Sequence, residues 1–237
     1  MDSAAGQPAT LATLVRVEGS SYRRPGARLL VLPEGKRIGS ISGGCLDEDV
    51  LERADRVLRT GEAELATYNT AEENDLLWGV GTGCDGTVSI LLEYIPAERP
   101  LWLTELRANQ RARRETMIQV RYGGHDSRGT QLSARGATVE PDVFQETVLA
   151  SPALLICGAG DDAQPLVRMA KETGWHVTVA DTRPAYANAQ RFPDADRILS
   201  GAIDETMAQL KIDSRTFAVV MTHRFEDDWK FLGALLS

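Results

Sequence analysis

Residues 153–181 constrain the fold more than any other stretch of this chain. The apolar run Ala153-Leu154-Leu155-Ile156-Cys157 leads into Gly158-Ala159-Gly160-Asp161-Asp162-Ala163, and the next apolar run ends on an acid, Asp181. A strand, a glycine turn, a helix and a second strand closing on a carboxylate is the frame that separates a dinucleotide-type turn from a chance Gly-x-Gly. The glycines permit the turn and a close backbone approach, Ala163 permits tight helix–strand packing, and Asp181 is placed to accept hydrogen bonds from ribose hydroxyls. Residues 164–173 read as the helix, stopped by Gly174. Strands follow at 176–180, 197–199 and 216–222, with helices at 205–210 and 227–236. This alternation implies a parallel sheet.

The first part of the chain follows a different pattern. Residues 11–17, 27–32, 36–41 and 87–95 are rich in β-branched and apolar residues and read as strands, with turns at Arg24-Pro25-Gly26 and Pro33-Glu34-Gly35. Residues 46–60 read as a helix. Asp47, Glu48 and Asp49 load its first turn, Arg53, Arg56 and Arg59 lie toward its end, and Gly61 stops it. Residues 101–114 suggest another helix, and 117–124, the neighbourhood of Gln131 and 144–149 look extended. No internal repeat or low-complexity segment is present. The expected fold class is α/β: a β-rich N-terminal domain over 1–150, then a Rossmann-like parallel-sheet domain over 151–237, minimal or truncated.

Composition excludes some functions. The formal net charge of −8 argues against general nucleic-acid or anionic-membrane binding. No apolar run approaches the ~20 residues of a membrane span, and the N-terminus lacks the basic and apolar regions of a signal peptide. With three cysteines in 237 residues a disulfide framework is not expected, so the default is a cytoplasmic protein with reduced thiols.

Two of those cysteines sit in glycine-rich loops. Ile41-Ser42-Gly43-Gly44-Cys45 places a thiol at the entrance of the helix at 46–60, where free N–H groups favour an anion or a thiolate. Gly81-Thr82-Gly83-Cys84-Asp85-Gly86 holds the second. Neither belongs to a C-x-x-C and no histidine pair accompanies them, so structural zinc is not expected. A thiol nucleophile, a persulfide carrier and a ligand to a soft metal centre all remain open. Cys157 reads as a buried small hydrophobe.

A third segment, Ser20-Ser21-Tyr22-Arg23-Arg24-Pro25-Gly26-Ala27-Arg28, is a polar turn with three arginines, suited to phosphate or carboxylate but equally to an exposed hairpin. At the glycine turn, Asp161 and Asp162 place negative charge where a pyrophosphate would sit. Arg183 can offset it or be a solvated loop arginine. His223 follows the strand at 216–222, where ligands of open α/β sheets gather, and is either a binding or proton-shuttling group or a loop histidine without a role. His125 and His176 are assigned none.

Taken in order, these segments resemble the XdhC/CoxI family, accessory proteins of molybdenum hydroxylases. The resemblance rests on residues 19–27, 41–45 and 81–86, on the glycine turn, on Asp181-x-Arg183-Pro184 and on Thr222-His223. It implies a non-catalytic chaperone that binds molybdenum cofactor, protects its sulfurated form and delivers it to an apo-hydroxylase of the xanthine dehydrogenase type. A cysteine desulfurase and a second copy of the chain are further partners in view. Cys45 is the implied molybdenum ligand, with Ser20, Ser21, Arg24, Arg28, Gly43, Gly44, Gly83 and Cys84 around it. Gly158, Gly160, Asp181, Arg183 and His223 would form a second site, for the cofactor's nucleotide or for NAD(P). Asp161 replaces the histidine usual in relatives, and Thr82 and Asp85 depart from their second loop. Relatives often begin with a helix before the first strand, and they continue past the last helix into another strand and a glycine- and arginine-rich turn. An NAD(P)-dependent oxidoreductase and a persulfide-carrying sulfurtransferase are the alternatives.

Overall fold

The computed structural model describes residues 6–44, 46–69, 86–124, 127–138 and 140–236. Cys45, Gly83, Cys84 and His125 therefore lie outside the described residues. The chain divides into two compact units, residues 1–149 and 150–237.

The first unit is built on a five-stranded antiparallel sheet. Its strands are β1 (Ala9–Gly19), β2 (Arg28–Val31), β3 (Arg37–Gly39), β4 (Glu64–Asn69) and β5 (Gly86–Ile95), in the order β3-β2-β1-β5-β4. Helix α1 (Asp47–Thr60) covers one face. Its buried stripe of Val50, Ala54 and Val57 joins Ala12, Leu14, Val88, Ile90 and Leu92 in one core. Burying each valine contributes about 1.5–3 kcal/mol. Thr10 Oγ1 donates 2.8 Å to the Ala54 carbonyl, tying the helix to the central strand. Gly61, at φ 75°, ends the helix by donating its N–H to Val57.

On the other face lies a three-stranded antiparallel sheet of β6 (Thr116–Arg121), β7 (Gly129–Leu132) and β8 (Val143–Val148), in the order β7-β6-β8. Val15, Leu91 and Val120, with Leu65, Tyr122 and Phe144 against them, fill the contact. Helix α2 (Leu101–Arg111) connects the two sheets and buries Trp102 among Ala9, Leu11, Leu32 and Ile95. It ends short of the expected residue 114, because the chain turns at Arg113, with φ 51°. The buried Glu93 also links the sheets, accepting from the Thr130 N–H at 2.8 Å and from the Thr130 hydroxyl.

The second unit is the parallel sheet foreseen from its sequence. Strands β9 (Ala153–Cys157), β10 (His176–Asp181), β11 (Arg197–Ser200) and β12 (Thr216–Val220) lie in the order β11-β10-β9-β12. Helix α3 (Ala163–Glu172) packs Ala163, Val167 and Ala170 against Leu154, Ile156, Val177 and Val179. Helices α4 (Ile203–Ala208) and α5 (Phe225–Leu236) bring Ile203 and Phe231 onto Leu155, Cys157, Ala180 and Leu199. Cys157 is fully buried, and burial followed by the nearby Asp228 pushes its thiol up to about 12. It is a core residue without thiolate chemistry, as its apolar strand suggested. The mixed α/β class holds throughout, and β4 is the one described strand the sequence did not suggest.

Candidate functional site

The antiparallel register brings several strand ends to one edge of the N-terminal sheet. Gly19 at the end of β1 pairs with Gly86 at the start of β5. Leu29 near the start of β2 pairs with Gly39 at the end of β3, and Asn69 at the end of β4 pairs with Thr87. The turn at residues 20–27 and the segment 40–44 follow from these ends. Two close approaches join them. A Cβ at Gly43 would lie 3.6 Å from the Tyr22 ring, and a Cβ at Gly86 would fall 2.2 Å from the Glu18 carbonyl oxygen and 2.9 Å from the Ser20 nitrogen. The segments that carry Ser20–Arg28, Gly43–Gly44 and the end of the second glycine loop therefore share one end of the sheet.

Within this region Ser42 sets the loop before α1, a role the sequence did not single out. Its buried hydroxyl donates 2.6 Å to Asp47 Oδ1 and accepts from the Gly44 N–H at 3.0 Å and the Leu46 N–H at 3.4 Å. Asp47 also faces Arg37 at 3.7 Å. Asp49 accepts from Arg53 at 2.6 Å and from the Tyr68 hydroxyl at 2.5 Å. Burial acts to raise the Asp49 pKa, but the hydrogen bonds from Arg53 and Tyr68 outweigh it and hold the carboxyl below its ordinary value. Two of the three first-turn acids are thus committed to the fold, which limits their repulsion of an anion near the helix entrance.

The arginines of the turn separate into two kinds. Arg28 is half-buried and pairs with Glu146 at 2.9 Å, across 118 residues of sequence. That pairing is a departure from the open cation its sequence context suggested, since burial of the guanidinium demands a carboxylate beside it. Arg23 and Arg24 are exposed and carry no ion pair among the described residues, with Arg23 lying 5.5 Å over the exposed Tyr22 ring. Ser20 and Ser21 precede them in the same turn.

In the second unit the glycine turn is as expected in backbone but not in charge. Gly158 has φ 128°, and a Cβ there would sit 2.4 Å from the Met221 carbonyl oxygen, so no other residue fits where the turn passes the end of β12. Asp181, 2% exposed, accepts from the Ala159 N–H at 2.8 Å and from the Arg183 N–H at 2.9 Å. Arg183 adds two more bonds, Nε to Oδ1 and Nη2 to Oδ2, each 2.9 Å. Burial alone would raise this carboxyl, but the Arg183 and backbone donors prevail and hold it below its ordinary value. Both oxygens are engaged within the chain, which leaves Asp181 poorly placed for the ribose contact expected of it.

The two turn aspartates are also partnered. Arg191 Nη2 bonds Asp161 Oδ1 at 2.7 Å and the Ala159 carbonyl at 3.3 Å. His223 Nε2 lies 2.8 Å from Asp162 Oδ2 and holds that carboxyl below its ordinary value, and His223 itself adopts φ 59°. The Tyr186 ring lies under both cations, with Arg183 at 4.0 Å and Arg191 at 5.2 Å from its centre. Sequence reading missed Arg191 and Tyr186, and no spacing rule joins them to a turn some thirty residues earlier. No group of three or more metal-ligating side chains occurs among the described residues, and no described helix is long and apolar enough to cross a membrane.

The sequence profile of the XdhC and CoxI family matches residues 3–69, and that of the XdhC Rossmann domain matches residues 154–237. The chain belongs to the XdhC/CoxI family. It is 30% identical to a probable xanthine dehydrogenase subunit of Bacillus subtilis, over 98% of this chain and 77% of that protein. It is 26% identical to the molybdenum cofactor insertion chaperone PaoD of Escherichia coli, over 82% of this chain and 59% of PaoD. A crystal structure described as a xanthine dehydrogenase from Bacillus halodurans superposes with a TM-score of 0.78 at 30% identity, over 97% of this chain and 74% of that one.

Proposed function

We propose that this protein is an accessory chaperone that takes molybdenum cofactor as cargo and hands its sulfurated form to a molybdenum hydroxylase of the xanthine dehydrogenase type. Membership of the XdhC/CoxI family supports the reading, as do the names of the Bacillus subtilis and Escherichia coli relatives. The observation that carries it is the convergence at one end of the N-terminal sheet, where Tyr22 meets Gly43 and Gly86 meets Ser20. In this reading the exposed Arg23 and Arg24 draw the anionic cofactor to this end of the sheet, with Ser20 and Ser21 as further donors. Cys45, flanked by Gly44 and Leu46 at the start of α1, supplies a soft thiolate to the metal. Arg28 acts through the fold, by its pair with Glu146.

The Rossmann-type unit serves a different purpose from nicotinamide binding. Asp181 is saturated by Ala159 and Arg183, and a phosphate at the turn would meet Asp161 and Asp162. A hydride-transferring oxidoreductase is therefore the weaker reading. The test is reconstitution of a cofactor-free hydroxylase with cofactor carried by this protein or added free at equal concentration. The expected result is faster and more complete recovery of hydroxylase activity from the carried form. Equal recovery from both forms would overturn the delivery role.

A further inference from the structure

Between the two sheets of the N-terminal unit lies a cavity of about 260 Å³. Arg16 and Glu18 of β1, Leu65 and Thr67 of β4, and Thr87 and Ser89 of β5 form one wall. Tyr122, Gly123, Arg128 and Asp142 form the other. The cavity begins where the apolar contact of Val15, Leu91 and Val120 ends. It lies toward the sheet edge that carries the glycine segments, since Glu18 pairs with Thr87 one step from the Gly19–Gly86 pair.

Three features make this wall unlike a leftover gap. First, Arg128 and Asp142 line the same space without forming an ion pair with each other. Among the described residues, hydrogen bonding engages Nε of Arg128, which donates 3.1 Å to the Tyr122 carbonyl, and Asp142 is exposed and forms no side-chain ion pair. Second, Asp142 is held in the left-handed region, at φ 58°, a conformation that costs free energy and recurs where side chains are aimed at a ligand. Its carbonyl is fixed by the Tyr122 N–H at 2.9 Å. A Cβ at Gly123 would lie 2.5 Å from Asp142 Cβ, so the glycine is what makes room for this placement. Third, four hydroxyl-bearing side chains face the cavity, and of these Thr67 and Ser89 contact each other at 3.3 Å.

An open carboxylate and an open guanidinium, side by side on one wall of a polar slot, suit one ligand that carries both a donor edge and an anionic arm. A fused heterocycle of the pterin type has this chemistry. Its amino and ring N–H groups form a paired donor edge for a carboxylate, and its acidic substituent meets an arginine fork. We propose that this cavity binds the pterin portion of the cargo, with Asp142 taking the donor edge, Arg128 the anionic arm, and Thr67, Thr87 and Ser89 the remaining polar atoms. This proposal rests on the cofactor-chaperone reading and adds to it a site that the glycine segments do not contain.

The probe is pterin-6-carboxylate, titrated by its fluorescence into the whole chain. Wild type should bind it, and Arg128→Gln and Asp142→Asn should each weaken binding about tenfold or more, the scale of one charged hydrogen bond. Asparagine tolerates the left-handed region, so Asp142→Asn keeps the wall intact. Cys45→Ala should change probe affinity by less than about twofold, because a probe without metal makes no thiolate bond. Absence of binding by wild type, or equal binding by wild type and both cavity variants of native melting temperature, overturns the assignment. Molybdenum retention measured on the same preparations separates the two proposals. Wild type that binds the probe through the cavity but retains no molybdenum contradicts the chaperone reading alone. Wild type that retains molybdenum undiminished in both cavity variants contradicts the cavity assignment alone.

Discussion

The charged turn of the N-terminal unit and the glycine turn of the C-terminal unit differ in what they leave open. In the C-terminal unit the turn at Gly158 is filled by the protein's own charges. Asp181 is taken by Arg183 and Ala159, Asp161 by Arg191, and Asp162 by His223. In the N-terminal unit the turn at residues 20–28 keeps Arg23 and Arg24 exposed, while Ser42, Asp47 and Asp49 are satisfied beneath them. A glycine motif therefore marks a close backbone approach, and the pairing of charges around it decides whether a ligand is admitted. The same rule separates two buried carboxylates. Among the described residues Glu93 has Thr130 alone as donor, and burial raises its pKa despite those bonds. Asp181 faces an arginine fork, and its pKa falls.

The strongest way to break this contrast is to add a methyl group at Gly158 and at Gly44, the latter in the segment that meets the N-terminal turn through Gly43 and Tyr22. Gly158→Ala drives a Cβ into the Met221 carbonyl and should destabilise the C-terminal unit by roughly 3 kcal/mol or more. Gly44→Ala meets no described atom within 4 Å, so only its φ of 114° opposes it, at a cost of about 1–2 kcal/mol. Thermal unfolding of both variants checks the difference, and equal losses would contradict it.

Next in size is Asp181→Asn. The loss of charge-assisted bonds to Arg183 should cost about 1.5–3 kcal/mol at neutral pH. The pH dependence has a definite sign. Because the folded pKa of Asp181 lies below its unfolded value of about 3.9, the carboxylate's contribution is fully present above that value. It is lost as pH falls through the folded pKa. Urea unfolding between pH 5 and pH 2 should show a steeper acid loss for wild type than for Asp181→Asn.

Glu93→Gln should act in the opposite sense and more weakly. The raised folded pKa means that stability from protonation is present below the unfolded value of about 4.3 and is lost as pH rises through the folded pKa. Removing the charge should shift stability at pH 7 by no more than about 1 kcal/mol, without the acid loss seen for Asp181. Smallest of all is Asp162→Asn, where both partners are largely exposed and the change should be under about 1 kcal/mol.

Much of the framework was legible in the sequence because it is written in local periodicity. The valine–alanine–valine stripe of α1 and the apolar runs of β9 and β10 declare themselves within a dozen residues. Strand β4 did not, since Glu64–Asn69 buries only Ala66 fully and is recruited by pairing along β5. The site was legible as motifs and illegible as pairings. Nothing near Arg28 announces Glu146, and nothing near Asp161 announces Arg191. These ion pairs are made by tertiary approach, and they decide which cations stay open. Ser42 was within reach, because a serine a few residues before an acidic helix start is a familiar local hydrogen-bonding arrangement.

The most direct measurement is the molybdenum-to-protein ratio after loading with cofactor and gel filtration, for wild type, Cys45→Ala and Arg183→Gln. An open N-terminal turn and a filled C-terminal one predict that Cys45→Ala loses most of the bound molybdenum, at least about tenfold in affinity, while Arg183→Gln retains the wild-type ratio. Loss in Arg183→Gln with full retention in Cys45→Ala would contradict the account, and would place the cargo at the Rossmann-type turn.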